Sequence, residues 1–382
     1  MKRLLLLVVL CSAIVPIATA GVTRLPMTVV RTWLTVEVAI EGHAYRFMVD
    51  TGAPLTVVSA RVAAERNIVA GDVTEMNTAN GVPAVMQHAV VGRMTLGDRE
   101  LTDWHIMVAD NTVLDCFDID GIIGGDILRR YVVRFCARDG YILLADNLSE
   151  AGAVDRRHSV RMRLINNKSY CGYSYIRGAK GKCPVWLLFD TGAAGLSLGC
   201  WERLAERGAL SDLHVAEGYS IVGGLMGNGV VSHMAQALAV APVLRFAGVD
   251  IRNMPVQSLQ QEQKSIIGVA LLQWGDVVAD YLGRRIYYVV DGQSVTAGDG
   301  AAAAFNLRPA FDAGRGVIVG SVWDTDLLGR VRVGDRISSV DGMPTDSMSV
   351  CDFYRLDFKI GQTQLCIETD AGEKHITMNI IE

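Results

Sequence analysis

Cysteine is scarce in this chain, with 8 among 382 residues and no C-x-x-C pair. A disulfide-built scaffold is therefore excluded, as are thiol-based zinc and redox centres that need that spacing. Histidine is equally sparse, at positions 43, 88, 105, 158, 214, 233 and 375. None stands in the His-Glu-x-x-His spacing of a helical zinc site. Each reads as structural or solvated, and no metal or cofactor is expected. Proline (9) is far outnumbered by glycine (39), without the period of a collagen or a low-complexity tract. Charge of one sign never clusters, and 36 basic against 41 acidic residues leave a formal net charge of −5. Nothing suggests a nucleic-acid footprint or a polybasic membrane patch. After the first twenty residues no run is long and apolar enough to span a bilayer.

What is present is a chain half of whose residues are hydrophobic, enough for several filled cores. Its length suits two or three domains of roughly 100–200 residues. Lys2 and Arg3 precede an apolar stretch from Leu4 to Ile17, and Ala18-Thr19-Ala20 is the small-x-small end that signal peptidases accept. Residues 1–20 are read as a signal peptide cleaved before Gly21, so the protein is expected to be exported, to the periplasm or the cell exterior. Bulky Leu10 before Cys11 argues against lipidation there. Export permits cystines, and the spacing offers Cys171 with Cys183, Cys116 with Cys136, and Cys351 with Cys366. Seven cysteines remain after cleavage, so at least one stays unpaired in a monomer.

The chain repeats itself. Tyr45-Arg46-Phe47-Met48-Val49 leads into Asp50-Thr51-Gly52-Ala53, and 140 residues later Val185-Trp186-Leu187-Leu188-Phe189 leads into Asp190-Thr191-Gly192-Ala193. A short helical pattern follows each, carrying Ala64-Glu65-Arg66 and Ala205-Glu206-Arg207. Next come Asn80-Gly81 and Asn228-Gly229, hairpin signals because both residues accept positive φ. Each half then reaches Ile-Ile-Gly, at 122–124 and 266–268. The segments between read as strands: Trp33 to Ile40, turned by Glu41-Gly42, and later Val132 to Phe135 and Ile286 to Val290. Two mainly β lobes result, at residues 21–151 and 152–291.

Two tight turns related by approximate two-fold symmetry can set Asp50 beside Asp190. Carboxylates that close cannot easily both ionise, so they share a proton and titrate as a pair. One serves as general base toward a water, the other as general acid toward a peptide carbonyl oxygen. A single Asp-Thr-Gly is by itself only a strand-end turn in which Asp caps N–H groups. The ordered repeat is what turns the pair into candidate catalytic residues.

This pattern resembles the retropepsin/pepsin-like aspartic proteases over nearly all of residues 25–290. The resemblance implies a bilobal acid-protease fold with a peptide or protein as substrate. It implies that Thr51 and Thr191 interlock through their hydroxyls, with Gly124 and Gly268 supporting the site. Gly52, Ala53, Gly192 and Ala193 would contact substrate backbone, and the hairpins around Gly81 and Gly229 would be flaps. The tip around Gly81 lacks the tyrosine typical of the pepsin flap. Ala53 and Ala193 replace a Ser/Thr that in pepsins hydrogen-bonds an aspartate, so an activity optimum less acidic than pepsin's is expected.

Residues 292–303 are Gly/Ala-rich and read as a linker. Residues 304–382 have their own strand pattern, with Gly316 to Val322 as one strand. Gly334, Asp335, Ile337, Val340 and Gly342 give this stretch a resemblance to bacterial protease-associated PDZ domains. That resemblance implies an α/β module binding a peptide C-terminus at Ala304, Phe305, Asn306 and Leu307. Ala304 stands where Gly is usual, and Asp324 to Arg330 departs from the common pattern, so a docking module without a free groove is the alternative.

The expectation is therefore an exported, monomeric aspartic endopeptidase with a C-terminal PDZ-like domain that recruits substrate or regulates the cleft. Two alternatives stand beside it. One is an inactive peptide-binding or scaffold protein on the same fold. The other is a serine hydrolase built on Gly195-Leu196-Ser197-Leu198-Gly199, against which Val57 at the equivalent place in the first half argues.

Overall fold

Strands make up most of the chain, as its β-branched runs punctuated by Gly and Asx turns require. The computed structural model describes residues 21–77, 83–110, 112–165, 168–199, 201–221, 231–259, 264–297, 305–359 and 361–379. The segment read as a signal peptide, both Asn-Gly pairs, Cys200, Ala304 and much of the linker lie outside the described residues.

Each half builds the same arrangement around its Asp-Thr-Gly. In the first, Trp33–Ile40 and His43–Val49 form a hairpin whose turn residues Glu41 (φ 49°) and Gly42 (φ 80°) are both left-handed. That conformation matches the twist of the strands it joins. His43–Val49 then runs parallel to Gly121–Ile123, with Val49 opposite Ile123, while Val57–Ser59 lies antiparallel on the other side. In the second half Gly181–Phe189 runs parallel to Ser265–Ile267, with Phe189 opposite Ile267, and Leu196–Ser197 lies antiparallel. The Ile-Ile-Gly repeat is thus the central strand of each site, buried between the strand before the aspartate and the strand after it. A Cβ at Gly124 would lie 2.4 Å from the Leu55 carbonyl, and one at Gly268 2.2 Å from that of Ala193. Only glycine permits those crossings.

A six-stranded antiparallel sheet joins the halves, in the order Thr23–Val30, Tyr141–Ala145, Val132–Cys136, Asp276–Asp280, Arg285–Val289, Ser159–Ile165. Three strands come from each half, and the central pairing sets Val133 opposite Ala279. One hydrophobic core runs through both halves, with Phe135 edge-on to Phe189 at 5.6 Å. Long hairpins stand off this base: Ala70–Asn77 with Pro83–Leu96, and Ser211–Ile221 with Val231–Phe246.

Residues 305–379 carry a separate core (Leu307, Val317, Val319, Ile337, Phe353, Leu365, Ile367 and Ile376 among others) between five strands and the helix Val350–Arg355. This unit touches both halves. Ser321 pairs with Gly218 of the second long hairpin, and Arg315 donates to the Tyr219 hydroxyl at 3.3 Å. On the other side, Arg355 donates to the Cys116 carbonyl and Arg31 to the Tyr354 carbonyl, at 2.9 and 2.7 Å.

The disulfide pairing differs from every pair the spacing offered. Cys116 is bonded to Cys351, 235 residues away, which ties the first half to the third unit. Cys171 and Cys183 do share a hairpin, but Cys171 faces Leu187 and Cys183 faces Ile176, so they sit on separate rungs. Cys136 ends a strand of the joining sheet, and Cys366 lies inside the third unit's sheet opposite His375. Cys136, Cys171, Cys183 and Cys366 are buried free thiols. Proximity along the chain misled because the bonded partners meet only through the docking of two separate cores.

Arg134 crosses the boundary between halves, its guanidinium bonding Asp276 at 2.8 and 2.9 Å and the Ala151 carbonyl at 3.1 Å. Both side chains are largely shielded. Arg134→Ala leaves the Asp276 carboxylate without its counter-charge and should destabilise the protein by about 3–5 kcal/mol, read as a lower urea midpoint.

Candidate active site

The two Asp-Thr-Gly turns meet at the top of the joining sheet and hold each other by reciprocal hydrogen bonds. The Thr51 hydroxyl accepts from the Thr191 N–H at 3.0 Å and donates to the Phe189 carbonyl at 2.6 Å. The Thr191 hydroxyl accepts from the Thr51 N–H at 3.1 Å and donates to the Val49 carbonyl at 2.6 Å. Both threonines are fully buried. Every donor and acceptor in this clasp is spent on the opposite half, so neither turn satisfies its polar groups alone.

The clasp sets the carboxylates face to face. A Cβ on Gly52 would lie 2.3 Å from the Asp190 carboxyl carbon, and one on Gly192 would lie 2.7 Å from that of Asp50. Each aspartate therefore packs on the bare glycine backbone of the other turn. Asp50 Oδ1 accepts from the Gly52 and Ala53 N–H groups at 2.7 and 3.0 Å, and Asp190 Oδ1 accepts from the Gly192 N–H at 2.9 Å. Asp190 is 9% exposed, while Asp50 is half-buried. Burial, then the Asp50 charge and a hydrogen bond with Asp50, raise the Asp190 pKa well above the usual carboxylate value. The Gly192 N–H and the Lys168 ammonium pull it back in part. Such a pair holds one proton where isolated carboxyls hold none, with Asp190 biased to carry it.

A buried threonine and aspartate brace the first turn from neighbouring elements. Thr56 donates to Asp126 at 2.9 Å and accepts from the Gly124 N–H at 3.2 Å, and the Trp104 indole donates to Asp126 at 3.2 Å. Ala53 N–H sits at 3.3 Å from the Asp50 carbonyl, and Ala193 N–H at 3.2 Å from that of Asp190.

Residues 36–127 match the aspartyl protease family model.

That aspartyl protease match takes in Asp50-Thr51-Gly52-Ala53 and Gly124. Asp190, Thr191, Gly192, Ala193 and Gly268 lie beyond it and rest on the geometry above. No curated protein matches the chain. Gly81 and Gly229 lie outside the described residues; the strand pairs on either side end with Asn77 opposite Pro83 and Ile221 opposite Val231. In the third unit, the Asn306 N–H donates to the Asn379 carbonyl and its carbonyl accepts from Trp323 and Asp324, while Leu307 pairs with Val322. Phe305 packs partly buried against that unit's core. Ser197 pairs with Ile266 as Val57 pairs with Ile122, within a strand pair rather than on a strained turn.

Two residues that carry no motif fall opposite the aspartates when the strand ladders are continued. Trp33 packs edge-on to Phe117 at 5.4 Å, within the apolar cluster that includes Ala53 and Leu55. Lys168 is half-buried on the second half's hairpin, where both aspartates act on its charge. The signal for both is ladder register rather than motif. Among the described residues, the donor atoms of Cys366, Glu373 and His375 in the third unit lie within 4.8 Å of one another. That group is remote in fold from the aspartate pair.

Two outcomes follow for the clasp and the pair. Thr51→Ala orphans the Thr191 N–H and the Phe189 carbonyl and should cost about 2–3 kcal/mol in chemical denaturation, whereas Thr51→Ser keeps both bonds and loses less than about half of that. A carboxyl whose folded-state pKa is raised contributes most below its unfolded value. Its contribution falls as pH rises toward the folded value and then stays constant. Asp190→Asn should therefore raise the melting temperature at about pH 7.5, by about 2–4 °C for each kcal/mol of relieved ionisation cost, and bring no gain near pH 3.

Proposed function

We propose that this protein is an exported aspartic endopeptidase, with Asp50 and Asp190 as its catalytic pair in a two-lobed cleft. The observation that carries the reading is the packing of each carboxylate on the other's turn glycine, which leaves two acids sharing one proton. In the proposed reaction, the ionised member takes a proton from a water whose oxygen attacks the peptide carbonyl carbon. The protonated member gives its proton to the carbonyl oxygen, producing a tetrahedral diol. Collapse of the diol breaks the C–N bond as the departing nitrogen takes a proton from one carboxyl. A diol hydroxyl returns its proton to the other while the carbonyl re-forms, restoring the singly protonated pair. Gly52, Ala53, Gly192 and Ala193 border this centre and would contact the backbone of an extended peptide. The two long hairpins, Ala70–Asn77 with Pro83–Leu96 and Ser211–Ile221 with Val231–Phe246, would serve as its flaps. No helix among the described residues is long and apolar enough to cross a membrane.

Export is supported by the apolar segment ending at Ala18-Thr19-Ala20 and by the Cys116–Cys351 bond, which suits an oxidising compartment. The third unit, proposed as PDZ-like, is bonded to the first half and paired with the hairpin of the second. That placement suits a module that governs access to the cleft or delivers substrate to it.

The test is hydrolysis of a peptide library across pH, followed by mass spectrometry. Wild type should cleave, pepstatin should inhibit, and Asp50→Asn should lower kcat by at least about a thousandfold. Ser197→Ala should stay within about twofold of wild type, since its place in the repeat belongs to a valine in the other half. The pH–rate profile should peak at a less acidic pH than pepsin's, because the aspartates lack a Ser/Thr partner at 53 and 193. No cleavage at any pH would favour a binding protein on the same fold, and loss of activity in Ser197→Ala would favour a serine hydrolase.

A further inference from the structure

Opposite each aspartate stands one residue that the internal repeat does not preserve. In the first half Thr35 faces Met48, and continuing that ladder by one same-face step sets Trp33 across from Asp50. In the second half Tyr170 faces Leu188, and the same step sets Lys168 across from Asp190. The two positions are symmetry mates with opposite chemistry. Trp33 closes its side with an apolar wall shared with Phe117. Lys168 places an ammonium on the other side, and Lys264, one residue before the strand Ser265–Ile267, adds a second positive charge next to it.

A pair of aspartates sharing one proton carries a single negative charge in a shielded site. Left alone, that charge would repel any acidic group on a bound peptide. Among the described residues, two ammonium groups against that one shared charge leave the second half's side net positive. The condition of Lys168 agrees: burial and the like charge of Lys264 lower its pKa more than Asp190 and Asp50 raise it. Its present counter-charge is incomplete, and one more carboxylate would complete it.

We infer that Lys168 is a specificity-determining residue of the cleft, its ammonium receiving a carboxylate of the bound peptide on the second half's side of the scissile bond. The assay for this rests on the hydrolytic reading above, but carboxylate capture can also be measured without hydrolysis. The carboxylate is either an acidic side chain or the free end of the peptide, and the same chemistry serves both.

The experiment uses the full chain and paired fluorescent peptides that differ only by Glu against Gln at successive positions, each made with a C-terminal acid or amide. For wild type, kcat/KM should favour the Glu peptide, or the acid terminus, by about tenfold at one position, the value of one charge-assisted hydrogen bond. Preference at an internal position assigns the carboxylate to a side chain; preference for the acid over the amide terminus assigns it to the chain end. In Lys168→Gln the ratio should fall to about one, Lys168→Arg should retain it, and Lys168→Glu should turn it toward the Gln peptide. A wild-type ratio near one, or a ratio unchanged in Lys168→Gln, overturns the inference while leaving hydrolysis standing. Fluorescence anisotropy with Asp50→Asn protein gives the converse arm. Binding that prefers the carboxylate and needs Lys168, without hydrolysis by wild type, keeps the inference and overturns the protease reading. Neither binding nor hydrolysis overturns both.

Discussion

The reciprocal bonding of Thr51 and Thr191 is the constraint on which the site depends. Each hydroxyl accepts from the other turn's N–H and donates to a carbonyl of the strand leading into that turn. Four buried polar groups are satisfied only when the halves meet in one register. Because buried unpaired N–H and C=O groups are costly, the clasp sets the approach of the turns closely. The glycines at 52 and 192 then let the carboxylates close to contact, which a single methyl group would prevent. The raised pKa of Asp190 follows from this closeness and from burial.

Beneath the clasp, the six-stranded sheet supplies rigidity. It takes three strands from each half and buries the Arg134–Asp276 ion pair close to the seam. A hinge at this boundary would expose apolar strand faces and part a shielded charge pair, so the halves are held as one body below while the hairpins extend above. The architecture is nearly symmetric at the level of backbone. It is not symmetric in side chains, since Trp33 and Lys168 occupy matching ladder positions in the two halves. Backbone symmetry builds the carboxylate pair, and the side chains at these two ladder positions differ in charge.

The third unit has its own core but not an independent position. The Cys116–Cys351 bond and two arginine-to-carbonyl bonds hold its helix Val350–Arg355 and the turn after it to the first half, close to the Trp33–Phe117 wall. Its strand Gly316–Val322 meets the second half's long hairpin at Gly218, where a Cβ would run into the Gly320 carbonyl at 2.4 Å. The module is thereby anchored to both halves.

The sequence alone determined the repeat, the two Asp-Thr-Gly turns, the Ile-Ile-Gly strands, the hairpin at Glu41-Gly42 and the separate strand pattern after residue 304. Those features are local, being fixed by alternation, β-branching and residues that accept positive φ. Their recurrence in one order let the mainly β character and the paired acids be read before any coordinate. Tertiary structure alone decided the partner of Cys116, because Cys351 reaches it only when two independently packed cores dock. It alone decided that Cys171 and Cys183 miss each other, since a register set along the whole hairpin puts them on separate rungs. It also set Lys168 in register with Asp190, through a ladder that a lysine inside a strand does not announce. Local chemistry names the groups; long-range register and docking choose which of them meet.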